Sequence, residues 1–253
     1  MRLPLGWLRP RHRELDQLPA EDDLVVLVDG SLDSRLVVFH EPHSYQAEQY
    51  RAFRTNLRAM NPGDAPRTIL FTSPTPDGDK SITVANVALS LSEFPGLRVC
   101  LVDMDLRAPR LHELFGMERG PGLTDVLLDR VDPRQALQRA ANPNLTVLSA
   151  GRPTDKPNEV LGSEYVLDLV RHLKRDFNYI LVDTPPSNVF ADASHAARTM
   201  DGVVLVVSLH DTLRHQAEQT LETLSASGAN MLGSFVTGSS TAQNDEVAEI
   251  YEG

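Results

Sequence analysis

Short apolar runs alternate with stretches of helical spacing along this 253-residue sequence, and this alternation restricts its fold more than any other feature. The runs are almost wholly apolar, which is typical of strands buried on both faces of a parallel sheet. Strands that alternate with helices form an α/β fold, in which helices flank a mostly parallel central sheet. The sequence therefore predicts a three-layer α/β domain. The predicted strands are 68–72, 98–103, 145–148, 179–183, 203–208 and 231–236.

The composition favours one globular domain between two less structured ends. With 41% hydrophobic and 23% charged residues, the chain has enough apolar surface to build a core. We expect an N-terminal arm at 1–40, one domain at 41–236 and a flexible acidic tail at 237–253. The predicted helices are 44–60, 81–93, 109–115, 123–128, 163–175, 194–199 and 212–227.

The net charge of −11 argues against binding to nucleic acid or to anionic lipid, because both repel a negatively charged protein. No apolar run approaches the roughly 20 residues of a membrane-spanning helix, and residues 1–13 do not have the pattern of a signal peptide. The single cysteine, Cys100, lies in a predicted strand and is expected to be a buried thiol, which fits a reducing compartment. We therefore expect a cytoplasmic protein.

A candidate phosphate-binding loop follows the first predicted strand and leads into a helix. In such a unit, backbone N–H groups and the start of the helix bind phosphate oxygens. A lysine in the loop reaches the outer phosphates, and the hydroxyl group that follows it ligates Mg²⁺. Lys80 and Ser81 fit these two roles. The predicted nucleotide-binding residues of the loop are Gly78, Asp79, Lys80 and Ser81.

Two acidic residues, Asp77 and Asp79, make this loop unusual. The position before the lysine normally holds glycine, which lets the backbone and the phosphates approach each other closely. A carboxylate about 4 Å from a phosphate oxygen costs about 4 kcal/mol per pair of unit charges at an effective dielectric constant of about 20. By itself the loop fits either an impaired nucleotide site or an ordinary connection between strand and helix.

Carboxylates are also found at the ends of two other predicted strands. Asp103 and Asp105 come at and just after the end of the second strand, and Asp183 ends the fourth. Open α/β sheets bind ligands at the carboxyl ends of their strands. Because Mg²⁺ prefers a few carboxylates together with water and phosphate oxygens, we expect these three side chains to converge on one hydrated ion. Ser81, Asp103 and Asp183 are the predicted metal ligands.

The predicted helix at 44–60 carries charged residues at a spacing of three. Glu48 and Arg51 are neighbours on the helix surface, and Arg54 follows on roughly the same side. The pattern fits either a solvent-exposed charged face or a contact with another subunit.

Together these motifs resemble those of the bacterial tyrosine kinases of capsular and exopolysaccharide export, a branch of the P-loop proteins related to the partitioning and septum-site ATPases. The resemblance covers about residues 36–236. Its motifs are Glu48-x-x-Arg51-x-x-Arg54, the loop at 76–81, Asp103-x-Asp105-x-Arg107, Gly122-Leu123, residues 148–151, Asp183-x-Pro185-Pro186, Asp192-Ala193 and Asp201-Gly202.

The resemblance implies phosphoryl transfer from ATP, with Mg²⁺ as cofactor, to a tyrosine hydroxyl. It implies that Lys80, Asp103 and Asp105 are the catalytic residues, with the two aspartates near the attacking oxygen. Arg107 joins the nucleotide-binding residues, and Asp183 holds metal-bound water.

The resemblance also implies partners. Glu48, Arg51 and Arg54 are expected to contact the neighbouring subunit in a homo-oligomeric ring. A membrane adaptor that controls polysaccharide chain length, a polysaccharide co-polymerase, would hold the protein at the inner face of the cell membrane. In the family, a tyrosine-rich tail accepts phosphate from the adjacent subunit, whereas the tail of this chain contains one tyrosine, Tyr251.

Three functions therefore stay open at the level of sequence. The first is a tyrosine autokinase that regulates polysaccharide polymerisation and export. The second is a non-catalytic scaffold on the membrane adaptor, favoured by Asp77, Asp79 and the single tail tyrosine. The third is a septum-positioning or partitioning ATPase. This last class carries an extra lysine early in the loop, and residues 74–76 of this chain contain none.

Overall fold

A seven-stranded sheet organises the part of the chain that the computed structural model describes, which is residues 32–63, 65–76, 79–187 and 196–238. The strand order is β3-β4-β2-β5-β1-β6-β7. Every neighbouring pair is parallel except β3 with β4. The strands are β1 (Arg67–Thr72), β2 (Val99–Asp103), β3 (Leu137–Ala140), β4 (Asn142–Leu148), β5 (Tyr179–Asp183), β6 (Gly202–Ser208) and β7 (Met231–Thr237).

Helices cover both faces of this sheet and create two apolar layers. The first layer packs α1 to α4 against one face, and the second packs α5 to α9 against the other. The helices are α1 (Val37–His40), α2 (Tyr45–Ala59), α3 (Asp79–Ser92), α4 (Leu111–Leu114), α5 (Leu123–Asp129), α6 (Pro133–Ala136), α7 (Pro157–Leu161), α8 (Tyr165–Asp176) and α9 (Arg214–Ala226). The predicted three-layer α/β fold is confirmed.

The central strands explain why the apolar runs are continuous. All residues of β2 and β5 are buried, because each strand has helices on both faces and a strand on either side. Burial of one Val or Leu side chain contributes about 1.5–3 kcal/mol, so these strands supply much of the core energy. Cys100 lies within β2 and is fully buried, as predicted, and its burial raises the pKa of the thiol.

The structure differs from the sequence prediction at the edge of the sheet. The prediction missed β3, which pairs antiparallel with β4. This strand has the sequence Leu-Gln-Arg-Ala and lies at the edge with one residue exposed and two half-buried, so it has no apolar run. The short helices α1, α6 and α7 were also not predicted, because four or five residues are too few to show a helical period.

Residues 32–40, which we expected in the N-terminal arm, pack against the domain. Leu36 and Val38 are buried in the first apolar layer, and the backbone N–H of Asp33 donates to the carbonyl oxygen of Leu114 at 3.0 Å. Residues 1–31 lie outside the described ranges, as do Asp77, Gly78, Asp192-Ala193, the first two residues of the predicted helix at 194–199 and the tail from 239 onward, including Tyr251. The expected boundaries therefore stay predictions.

Candidate functional site

The carboxyl ends of β1, β5 and β2 lie side by side and bring the predicted site residues together. β5 pairs with β1 on one side and with β2 on the other, and Asp103 stands opposite Asp183 in the register. Helix α3 begins just after the loop that follows β1, so Lys80 and Ser81 are in its first turn. A parallel sheet places such strand ends at one edge, which is where the sequence predicts the site.

Lys80, Ser81 and Asp183 form a buried cluster. The Lys80 ammonium contacts Asp183 Oδ1, and Ser81 Oγ donates to Asp183 Oδ2 at 2.5 Å. The side chain of Asp183 is fully buried, and that of Lys80 is 4% exposed. Burial raises the pKa of Asp183, although the charge of Lys80 and the hydrogen bonds from Lys80 and Ser81 oppose that shift.

Asp103 orders the backbone that follows β2. Its Oδ1 accepts the N–H of Asp105 at 3.1 Å, and its Oδ2 accepts the N–H groups of Arg110 at 3.2 Å and Leu111 at 3.1 Å. Burial raises the pKa of Asp103 well above its ordinary value, and the charge of nearby Asp183 raises it further. Buried carboxyl groups with a raised pKa are common among the residues that transfer protons in active sites.

Asp105 and Arg107 continue the same turn. Asp105 Oδ1 accepts the N–H of Arg107 at 3.3 Å and that of Ala108 at 3.0 Å, so this carboxylate also stabilises the turn. The Arg107 guanidinium is exposed and donates to Asn158 Oδ1 in α7 at 2.6 Å. Asn158 therefore positions Arg107, and no signal in the sequence pointed to it because the two residues lie 51 positions apart.

No family model matches the chain. The tyrosine-protein kinase YwqD of Bacillus subtilis is 33% identical over 215 residues, which cover 85% of this chain and 90% of YwqD. The putative tyrosine-protein kinase CapB of Staphylococcus aureus is 27% identical over 203 residues, which cover 80% of this chain and 89% of CapB. The chain belongs to the bacterial tyrosine kinases of capsule and exopolysaccharide biosynthesis.

Solved structures agree with this family and fold. The crystal structure of the chimerical protein CapA2B2 superimposes with a TM-score of 0.75 at 29% identity and covers 81% of this chain and 89% of that one. The septum site-determining protein MinD of Pyrococcus horikoshii, complexed with Mg-ADP, has a TM-score of 0.57 at 23% identity and covers 68% of this chain and 70% of that one. The likeness to MinD shows a shared α/β fold alone.

The oxygen donors of this cluster fit a hydrated magnesium ion bound together with phosphate oxygens. Ser81 Oγ and the Asp183 carboxylate are hard oxygen donors in contact with each other, and Lys80 supplies the cation that a polyphosphate requires. Within the described ranges, no group of three or more His, Cys, Asp or Glu side chains is arranged to hold a metal ion. The expected convergence of Asp103, Asp105 and Asp183 on one ion stays a prediction.

The charged residues of α2 bind within their own chain. Arg51 pairs with Glu48 at 2.6 Å and with Glu93 at 2.6 Å, and Arg54 pairs with the other oxygen of Glu93 at 2.5 Å. The side chains of Arg51 and Arg54 are 18% and 12% exposed, whereas that of Glu48 is 61% exposed. Glu93 follows the last residue of α3, and the sequence analysis missed it because its partners lie 42 and 39 positions earlier.

This network bears on the predicted subunit contact. In the single chain, the two arginines attach α2 to the end of α3, and Glu48 is the member of the motif that faces solvent. A role of Glu48, Arg51 and Arg54 in self-association stays a prediction. The structure adds a second role for the two arginines, which is to stabilise the packing of α2 on α3.

Proposed function

We propose that the protein is an ATP-dependent tyrosine autokinase that regulates polymerisation and export of a capsular or extracellular polysaccharide. The observation that carries this proposal is the buried cluster in which Lys80 and Ser81 bind the two oxygens of Asp183. A lysine, a hydroxyl and an aspartate at the carboxyl ends of parallel strands are the groups that a Mg·ATP site requires. Family membership supplies tyrosine as the acceptor.

In the proposed reaction, the phenolic oxygen of a tyrosine attacks the γ-phosphorus of ATP. The bond between that phosphorus and its bridging oxygen breaks, ADP leaves, and the phenolic proton passes to a carboxylate. Asp103 is the candidate acceptor of this proton because its pKa is raised and it lies opposite Asp183. When bound, Mg²⁺ would supply charge neutralisation, held by Ser81 and Asp183.

Lys80 has to change partners in this reaction. It contacts Asp183 in the structure, so it exchanges a carboxylate oxygen for phosphate oxygens when ATP binds. The exchange keeps a negative group beside the ammonium at every stage, which a buried cation requires. Arg107, which is exposed and held by Asn158, is the second cation that we assign to the nucleotide.

The proposed setting is the inner face of the cell membrane. Within the described ranges, no helix is long and apolar enough to cross a bilayer. We assign membrane attachment to a chain-length adaptor of the polysaccharide co-polymerase type on the basis of the family resemblance alone. The exposed side of α2, which includes Glu48, is the proposed contact between subunits of a homo-oligomer. Tyr251 is the proposed phosphoacceptor.

Isothermal titration with Mg·ATP tests the nucleotide site. The wild type should bind Mg·ATP, and Lys80→Met should weaken binding by at least about tenfold because a charge-assisted contact to phosphate is lost. Lys174→Met is the matched control. It removes a lysine that pairs with Asp201 at 2.7 Å at the opposite end of the sheet, so affinity should stay at the wild-type value.

A different result would favour the scaffold function. If the wild type releases no heat on titration with saturating nucleotide, the proposed ATP site fails, and the scaffold function that Asp77 and Asp79 favour is supported. Equal loss of affinity in Lys80→Met and Lys174→Met would show a general effect on folding and would contradict the assigned role of Lys80.

A further inference from the structure

Three buried side-chain hydroxyl groups in the described part of the chain have no hydrogen-bond partner. They are Thr83 Oγ1, Thr124 Oγ1 and Ser149 Oγ, in residues that are 1%, 0% and 4% exposed. A buried hydroxyl is normally paired, because it has lost its hydrogen bonds to water. All three belong to segments at the carboxyl edge of the sheet, the edge where Asp103 and Asp183 lie. This shared location points to a ligand.

Ser149 lies in line with the two aspartates. Leu148 and Ala150 pack in the second apolar layer, as do Val102 and Val182, which precede Asp103 and Asp183. Because side chains alternate between the faces of a strand, Ser149, Asp103 and Asp183 all belong to the opposite face. The register pairs Val102 with Leu148, so Ser149, the first residue after β4, follows at the level of Asp103.

Thr124 is held against the same strand end. The N–H of Leu123 donates to the carbonyl oxygen of Ser149 at 2.8 Å, and the N–H of Thr124 donates to that of Ala150 at 3.0 Å. This approach requires a glycine at position 122, where a Cβ atom would lie 2.4 Å from the Ser149 carbonyl oxygen. The conformation places two unpartnered hydroxyls at the end of β4 and accounts for two motifs, Gly122-Leu123 and 148–151, that the nucleotide site leaves unexplained.

The order of the strands indicates which ligand these hydroxyls meet. Across the sheet, the loop after β1 comes first, followed by Asp183 on β5, Asp103 on β2 and Ser149 on β4. Phosphoryl transfer requires the attacking oxygen and the leaving oxygen to lie in line on opposite sides of the phosphorus. With phosphates bound near the loop and Asp183, the attacking group approaches from the side of β4.

We propose that Ser149 and Thr124 bind the phenolic hydroxyl of the acceptor tyrosine and hold it beside Asp103. Each hydroxyl can donate to or accept from a phenolic oxygen, and neither gains nor loses a proton in the transfer step. The two residues are positioning groups for the acceptor, distinct from the groups that bind ATP. This inference rests on the proposed kinase function.

The test compares Ser149→Ala and Thr124→Val with Ser90→Ala in the full chain. The acceptor is a synthetic peptide of residues 244–253, which contains Tyr251. Each of the first two variants should raise KM for the peptide about fivefold, because the peptide loses one ordinary hydrogen bond. KM for ATP should stay unchanged. Their Tm should equal or exceed that of the wild type, because the hydroxyl removed has no partner. Ser90 donates to the carbonyl oxygen of Val87 at 2.8 Å, so Ser90→Ala should lower Tm and keep both KM values.

The outcomes separate this inference from the proposed function. If the wild type phosphorylates the peptide and both variants keep its KM, the inference is overturned while the kinase function stands. A lower Tm with unchanged KM in Ser149→Ala would show that the hydroxyl is structural and would equally overturn it. If the wild type does not phosphorylate the peptide, the proposed function fails, and the inference fails with it.

Discussion

At the scale of single residues, the ion pair between Lys80 and Asp183 is the feature on which the site depends. Both side chains are almost completely buried. Two buried charges stabilise a protein little relative to an apolar pair, but removal of one partner leaves the other uncompensated at a cost of about 3–5 kcal/mol. The pair therefore adds little net stability, and the fold tolerates it because each charge neutralises the other.

This reasoning predicts a specific pattern of stability. Lys80→Met should lower the free energy of unfolding by about 3 kcal/mol, because Asp183 loses its counter-charge. Adding Asp183→Asn to the same chain should restore most of this loss, since a neutral amide needs no cation. Urea unfolding of the three proteins measures both changes. If the single variant is as stable as the wild type, the pair does not carry opposite charges in the folded protein.

At the scale of elements, Glu93 joins α2 to the end of α3. Burial alone would raise the pKa of Glu93, but the hydrogen bonds from Arg51 and Arg54, together with their charges, lower it below its ordinary value of 4.5. A carboxylate whose pKa is lower in the folded state stabilises the fold above its unfolded pKa, and this contribution disappears as pH falls through the folded pKa.

The lowered pKa of Glu93 determines how the stability of Glu93→Gln should depend on pH. The wild type should be more stable than the variant at pH values above 4.5, and the difference should shrink as the pH falls below that value. Thermal unfolding across this range measures the difference. Glu222→Gln, at an exposed position on α9, is the control and should match the wild type throughout. A difference that is independent of pH would mean that the charge of Glu93 does not stabilise the α2–α3 contact.

The elements also show what could be predicted from the sequence. The strand predicted at 179–183 has the same bounds as β5, because a strand buried on both faces leaves an unbroken apolar run. The loop, Asp103 and Asp183 were predicted at one sheet edge because parallel strands bring their ends together. β3 was missed because an edge strand needs no apolar run, and Asn158 and Glu93 were missed because partners distant in sequence leave no local pattern.

At the scale of the whole molecule, α3 connects the proposed nucleotide site to α2. Its first turn carries Lys80 and Ser81, and Glu93, just after its last residue, binds both arginines of α2. Family membership supports a general role in capsule or exopolysaccharide biosynthesis, and the transfer of phosphate within an assembly of copies is our proposal. The acidic residues Asp77 and Asp79 are the feature of the sequence that argues against turnover.

The most direct test of this account is a search for phosphotyrosine after incubation of the purified protein with Mg·ATP. Mass spectrometry should find a phosphoryl group on tyrosine in the wild type and none in Lys80→Met, while Lys174→Met should be modified like the wild type. The peptide that contains Tyr251 is the expected carrier of the modification. A wild type that binds Mg·ATP but remains unmodified on every tyrosine would contradict the account.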